Sequence, residues 1–245
     1  MSSHEPAVVS FLVRASRAYT RGGWVFTGFH WPVLAAQVAA RVDPGAFGQV
    51  LEAGATAQGP ADDLPTSTTD YAAYGSSLRW VGATTAVFPS LAHRADRVVL
   101  DAANVDLLGR VNSTAIGPYA KPSVRLPGGG GAADAAGAAR ELVLLHGGLD
   151  PLRIVERVQH ATAAPAPGAV VTLVTRWGTI RLDGRPRWLE TAADLPEHLT
   201  ALGVRDDGAP PAAAALQEEI AAAESVLRDA SRRGYAAARA AELEQ

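Results

Sequence analysis

The chain contains no cysteine, and only one lysine and one methionine occur among its 245 residues. Without cysteine it forms no disulfide, no zinc site with thiolate ligands and no cysteine nucleophile. Charged residues make up 19% of the chain, the net charge is −3, and arginines are scattered rather than clustered. A nucleic-acid-binding surface needs a basic patch or stripe, so we expect no nucleic-acid partner.

Long apolar runs are also missing. No stretch approaches the roughly 18 apolar residues expected of a membrane-spanning helix, so we expect no membrane association. Residues 1–6 lack a positive region followed by an apolar core, which argues against a signal peptide and predicts a cytoplasmic protein. The histidines at 4, 93, 146, 160 and 198 show no ligand spacing with Asp or Glu, so no metal site is expected. His146 ends a predicted strand, and either faces a cleft or is hydrogen-bonded in the core.

The pattern of apolar residues alternates between helical and extended spacing, and the apolar fraction of 48% is enough for a large core. A helical stripe covers residues 7–21, a second helix follows Pro32, and a third is predicted at 83–94. Strands are predicted at 24–27, 49–52, 97–101, 111–116 and 142–145, with a long polar loop up to Ser77 and a hairpin formed by 170–175 and 178–183. Strands separated by helices predict an α/β fold with an open, largely parallel sheet and helices on both faces.

The C-terminal part differs in composition. Pro210 and Pro211 interrupt the chain, and the following stretch is rich in alanine. Its apolar residues recur at helical spacing, which predicts one or two helices that pack on the sheet or a partner chain, or lie as a solvated surface helix. We therefore divide the chain into an α/β domain, residues 1–209, and a helical C-terminal extension, residues 210–245.

Glu52 is the first residue with candidate chemistry. It ends a predicted buried strand, and open α/β sheets bind their ligands at the carboxyl ends of strands. Gly54, two residues later, removes a side chain that would crowd a ligand. A carboxylate held close to a thioester and partly stripped of water can attack it. Taken alone, a Glu-x-Gly sequence is common, and such a glutamate is equally consistent with an idle, solvated loop end.

A glycine loop, residues 128–131, follows a Leu107–Gly117 segment. Its backbone N–H groups carry no side-chain cover and suit a thioester or an oxyanion, although a flexible surface loop has the same composition. No Gly-Lys-Ser/Thr follows, and no strand leads into the loop, so it is neither a P-loop nor a dinucleotide-binding fingerprint. Asn104 precedes this segment, and its amide either donates to an acyl oxygen or bonds to its own turn.

In this order, the Glu52 segment, the Leu107–Gly117 segment and the glycine loop resemble the β subunit of family I CoA-transferases, the glutaconate CoA-transferase type. The resemblance covers about residues 8–205 and implies the CoA-transferase/NagB-like fold. It implies that Glu52 is the covalent nucleophile that forms a glutamyl-CoA thioester. It also implies substrate or oxyanion binding by Gly28, His30, Gly54, Asn104, Gly129, Gly130 and Gly131.

The resemblance further implies coenzyme A as a substrate, together with an acyl-CoA and a carboxylate, and no permanently bound cofactor. Most CoA contacts would come from an α-like subunit in a hetero-oligomer, which we expect to be α2β2.

One departure from the family pattern concerns the first loop, which in the family is Gly-x-Gly-x-Pro. Here the sequence is Gly28-Phe29-His30-Trp31-Pro32, with a histidine in place of the second glycine. We expect His30 to shape the acyl pocket. Two other functions stay open: an acyl-CoA decarboxylase or hydrolase of the same fold, in which Glu52 and His30 act as acid and base, and a non-catalytic partner subunit.

Overall fold

The computed structural model describes residues 6–83, 85, 94–192 and 194–236. In chain order the strands are β1 (Trp24–Thr27), β2 (Gly48–Leu51), β3 (Ala55–Ala57), β4 (Leu78–Val81), β5 (Arg97–Asp101), β6 (Val105–Asp106), β7 (Ala115–Ile116), β8 (Val124–Arg125), β9 (Glu141–His146), β10 (Ile154–Val155), β11 (Val170–Thr175), β12 (Gly178–Arg181) and β13 (Arg187–Thr191). The α-helices are α1 (Pro6–Ser16), α2 (Trp31–Val42), α3 (Ala132–Ala138), α4 (Glu197–Ala201) and α5 (Gln217–Arg233), and 3-10 turns occupy Tyr71–Ser77 and Pro151–Arg153.

Nine of these strands form one sheet, in the order β13-β12-β11-β9-β5-β1-β2-β3-β4. The five strands from β11 to β2 are parallel to one another. Antiparallel hairpins extend both edges, β12 and β13 on one side and β3 and β4 on the other. Because the central strands are parallel, their carboxyl ends meet at one edge of the sheet.

Both faces of the sheet are covered. Side chains alternate along each strand: Val25, Val99 and Val143 join the core under α1, α2 and α5, while Phe26 and Leu100 join the core on the side of α3 and α4. The predicted α/β fold, with a largely parallel sheet and helices on both faces, is therefore confirmed.

Several predicted elements differ from the observed ones. The first helix ends at Ser16 and continues as turns, and the predicted strand at 111–116 is reduced to Ala115–Ile116 because Val111 makes only isolated bridges. The predicted long loop contains β3, a short strand of Ala and Thr that shows no clear alternation. The helix predicted at 83–94 lies outside the described residues except at positions 83, 85 and 94.

The predicted C-terminal helical extension is present as α5. One side of it is fully buried against α1 and α2, through Ala223, Val226, Leu227 and Ala230. Arg41 of α2 pairs with Asp229 at 2.6 Å, which fixes the helix laterally. The division of the chain at residue 209 stays a prediction. In the described part of the chain, no helix combines the length and apolar character that crossing a membrane requires.

Candidate active site

A cavity of about 310 Å³ lies at the carboxyl edge of the parallel strands. Gly28 follows β1, Glu52 follows β2 and Asp101 ends β5, and all three line it. The glycine loop forms the facing wall. The topology thus brings together residues that are far apart in sequence, at the position where open α/β sheets bind ligands. We call this space the carboxyl-edge cavity.

Glu52 is half-buried in the wall of this cavity. Its Oε1 accepts a hydrogen bond from the backbone N–H of Gly131, at 2.7 Å. No group in the described part of the chain donates to Oε2. The carboxylate is therefore oriented through one oxygen, while the other is available to a ligand.

The glycine loop is pressed against this carboxylate. Gly130 has φ 49°, and a Cβ there would lie 2.3 Å from Glu52 Oε1, so the position has no room for a side chain. Gly129 is similarly restricted, because its Cβ would lie 2.4 Å from the Thr162 side chain. The loop is fixed to the core by the bond from Gly128 N–H to Ser113 O, at 2.7 Å. The close fit keeps loop N–H groups beside Glu52.

Two other candidate residues lie elsewhere. Gly54 does not line the carboxyl-edge cavity; it has φ 108° in the turn between β2 and β3, where its N–H bonds to Leu51 O. Asn104 is 6% exposed, and its amide donates to Arg153 O and accepts from the Asn112 side chain. These contacts are those of residues that shape turns, and they place neither residue at Glu52. Gly28, His30, Gly129 and Gly130 all line the cavity.

His30 occupies a backbone conformation that favours glycine. Its φ is 62° and its ψ is −113°, and it is the only non-glycine residue with positive φ in the described part of the chain. Such strain costs about 1–3 kcal/mol and is characteristic of functional sites. The chain therefore keeps the backbone shape of the Gly-x-Gly loop although a histidine replaces the glycine.

The side chain of His30 faces a carboxylate across the cavity wall. Its Nδ1 lies 3.5 Å from Asp101 Oδ2, and the two side chains are 46% and 30% exposed. Sequence reasoning missed Asp101, although a polar residue at the end of a buried strand was the available signal. Trp31, in contrast, packs edge-on against Phe11 at 5.1 Å and is 7% exposed, so only Phe29 and His30 bring bulk to the cavity.

His146 ends β9 at the same edge but is 3% exposed and does not line the cavity. Its Nδ1 lies 2.9 Å from Ala102 O, and its ring stacks on Trp177 at 6.4 Å. Burial lowers the pKa of His146, against the weaker opposing effect of the Ala102 hydrogen bond. Of the two predicted alternatives, the hydrogen-bonded core position is the observed one.

No protein-family model matches the chain. A curated protein of Pseudomonas knackmussii, the second of the two subunits of a 3-oxoadipate CoA-transferase, is 52% identical over 52 residues, which are 21% of this chain and 20% of that protein. The chain thus matches about a fifth of the length of this curated relative. The sequence similarity is high but local.

Similarity to solved structures extends over nearly the whole chain. The decarboxylase AibA/AibB is 25% identical, with a TM-score of 0.74, over 91% of this chain and 95% of that chain. Glutaconate coenzyme A-transferase from Acidaminococcus fermentans is 19% identical, with a TM-score of 0.72, over 89% of this chain and 94% of that chain, a likeness of fold alone. The chain is a protein of the family I CoA-transferase type and is similar to the β subunit of that family.

Proposed function

We propose that the chain is the β-type subunit of a CoA-transferase, which moves CoA between an acyl-CoA and a carboxylic acid. The observation that carries this proposal is Glu52 at the carboxyl edge, with Oε1 held by Gly131 N–H and Oε2 without a donor among the described residues. A carboxylate in this arrangement is a nucleophile that is already ionised and already oriented, so it needs no general base.

The reaction proceeds through exchange at Glu52. Oε2 attacks the thioester carbonyl carbon, the C–S bond breaks, and CoA leaves as the thiolate, which gives a mixed anhydride. The thiolate then attacks the Glu52 carbonyl carbon and the acyl group departs as a carboxylate, which leaves a glutamyl-CoA thioester. The acceptor carboxylate reverses these two steps, so charge and protons balance without a metal.

The Gly131 N–H has a defined part in this sequence. Oε1 becomes a carbonyl oxygen in the anhydride and an oxyanion when the thiolate attacks. The same N–H donor, at 2.7 Å from Oε1, is in place for each of these states. Donors fixed before charge develops are the main source of stabilisation in acyl transfer.

We further propose that activity requires an α-like subunit, in an α2β2 assembly. Among the described residues that line the carboxyl-edge cavity, none is a lysine or an arginine, so the phosphates of CoA find no counter-charge there. The names of the relatives, one of them a subunit and the other the pair AibA/AibB, agree with a two-subunit protein. Sedimentation of the chain with its co-expressed partner tests this: a lone chain that binds CoA tightly and turns over would contradict it.

Trapping of the adduct tests the proposed chemistry. The assembled protein is incubated with acyl-CoA but no acceptor, reduced with borohydride and digested. We expect a mass shift on the peptide that contains Glu52, and none in Glu52→Ala. Near-normal activity of Glu52→Ala would refute covalent catalysis at this residue.

A second candidate is decarboxylation of an acyl-CoA, with Glu52 and His30 as acid and base. Two observations favour it: the His30–Asp101 pair in the same cavity, and the likeness to the decarboxylase AibA/AibB. Loss of activity in Glu52→Ala with no trapped adduct, together with release of CO₂ from a carboxylated acyl-CoA, would select it.

A further inference from the structure

The C-terminal end of α5 turns back toward the carboxyl-edge cavity. Gly234 follows the helix with φ 77°, the left-handed conformation typical of helix ends, and Tyr235 N–H bonds to Ala230 O at 2.9 Å. This turn directs Tyr235 into the core, where it is 6% exposed. We call Arg233, Gly234 and Tyr235 the C-terminal anchor.

Tyr235 is the outer member of a row of three rings. Its ring centroid lies 5.8 Å from that of Phe29, which in turn lies 4.9 Å from the ring of His30. Phe29 and His30 line the cavity, while Tyr235 does not. Aromatic contacts at such distances add stabilisation beyond the burial of their area. The extension is thereby in contact with the wall that carries the strained residue.

The anchor also holds a second segment of the wall. The Tyr235 hydroxyl donates to Pro65 O, and Arg233 pairs with Asp63. This segment leads to Thr68, which lines the cavity. Burial raises the pKa of Tyr235 well above its usual range, so the hydroxyl stays protonated and remains a donor.

We propose that Tyr235 is a positioning residue of the site, which holds Phe29 and, through it, His30 against the cavity. Because this assigns a role in acyl selectivity, it rests on the proposed function. A strained backbone persists only where its surroundings over-determine it. Removing the Tyr235 ring releases the Phe29–His30 turn, so that the His30 ring no longer limits the acyl group. Glu52 keeps its own support from Gly131 and β2 and remains reactive.

The first experiment compares Tyr235→Leu with Tyr235→Phe in the assembled enzyme. The Leu variant loses the ring, while the Phe variant keeps the ring and loses only the bond to Pro65 O. We expect about a tenfold loss of discrimination between short and long acyl-CoAs in the Leu variant, seen in KM rather than kcat. Tyr235→Phe should restore discrimination. Equal effects of both variants on kcat alone would overturn the proposal.

A double-mutant cycle separates positioning from general stabilisation. In a His30→Gly background, Tyr235→Leu should change selectivity no further, because the residue through which it acts is absent. An effect of full size in that background overturns the proposal. If Tyr235→Leu does not fold, Phe29→Leu breaks the same row from the middle and replaces it in the cycle, with the same expected outcomes.

A readout without catalysis distinguishes failure of this proposal from failure of the proposed function. Diethyl pyrocarbonate modifies accessible histidines, and mass spectrometry maps the rate at His30. We expect a several-fold change at His30 in Tyr235→Leu but not in Tyr235→Phe, and no change at His198, which is bonded to Ile154 O. An unchanged His30 rate overturns the positioning role. A changed rate in a protein without transferase activity supports positioning and counts against the proposed function.

Discussion

The two walls of the carboxyl-edge cavity are built in opposite ways. The wall around Glu52 consists of one carboxylate and a glycine loop that contributes backbone N–H groups and excludes side chains. The wall after β1 consists of aromatic side chains, a strained histidine and a contact from the C-terminal anchor. The first contains what acyl exchange requires, and the second adds shape. Variants in the two walls should therefore affect different kinetic quantities.

The strongest test of this contrast is Glu52→Gln. The amide keeps an oxygen that can accept from Gly131 N–H but is not a nucleophile, so we expect kcat to fall by about 10³-fold or more. Steady-state transfer assays measure the loss. Glu141→Gln is a control from the opposite edge of the sheet, where Glu141 pairs with Arg21, and should keep activity. A Glu52→Gln enzyme within tenfold of wild type would remove the distinction between the walls.

Gly130→Ala tests the glycine loop itself. The new Cβ would lie 2.3 Å from Glu52 Oε1, so the carboxylate or the loop must shift. A displacement of about 1 Å at a reacting group costs about 100-fold in rate, and we expect a loss of kcat/KM of that order.

Gly128→Ala is the matched control for this variant. Gly128 also has positive φ, at 95°, but its Cβ would meet no atom within 4 Å. Both variants carry backbone strain, so their unfolding free energies should fall alike, while only Gly130→Ala should lose most of its activity. Equal kinetic losses would mean that strain in the loop, and not contact with Glu52, is responsible.

Elements with strong periodicity were predictable from the sequence. β1, α2, β5 and β9 appear within one or two residues of their expected positions, and the β11–β12 hairpin is confirmed. β3 was missed because three small residues carry no readable alternation, and the strand predicted at 111–116 was too long. There the Asn112 side chain bonds to the backbone of Thr114 and Ala115 and shapes a turn instead.

The site was predictable only in its local motifs. The order of motifs pointed to Glu52 and the glycine loop, and the structure places them in contact. Asp101 and Tyr235 could not be found in this way, because their proximity to His30 and Phe29 depends on tertiary packing. Gly54 was selected for its closeness to Glu52 in sequence, whereas its own conformation serves the β2–β3 turn.

His30→Gly tests the aromatic wall. Glycine adopts the observed backbone without strain, a gain of about 1–3 kcal/mol, while its freer unfolded chain returns about 0.5–1 kcal/mol. We therefore expect a net rise in unfolding free energy of about 1 kcal/mol. Discrimination between acyl chains should fall by about tenfold or more, with the Glu52 adduct intact.

Denaturant unfolding measures the first effect, and competition between acyl-CoAs measures the second. His160→Gly is the control, because His160 does not have positive φ, and it should lose stability. A His30→Gly protein less stable than wild type would show that the strain is offset locally. Abolished turnover with a normal fold would instead give His30 an acid–base role.

The smallest expected effect concerns His146, which lies at the same sheet edge as His30 but in the core. Burial lowers its pKa in the folded protein, and the charges of Asp101 and Asp150 oppose this only partly. The unfolded chain therefore takes up a proton near pH 6.5 that the folded protein does not. Its contribution is fully present above that pH, and the free energy of unfolding should fall as the pH decreases below it.

Urea unfolding of wild type, His146→Gln and His198→Gln between pH 5 and 8 tests this expectation. Glutamine at 146 can still donate to Ala102 O but does not titrate, so its stability should decline less steeply below pH 6.5 than that of wild type. His198 is half-buried and bonded to Ile154 O, and its variant should follow the wild-type slope. Parallel curves for wild type and His146→Gln would show that burial of this histidine does not couple folding to pH.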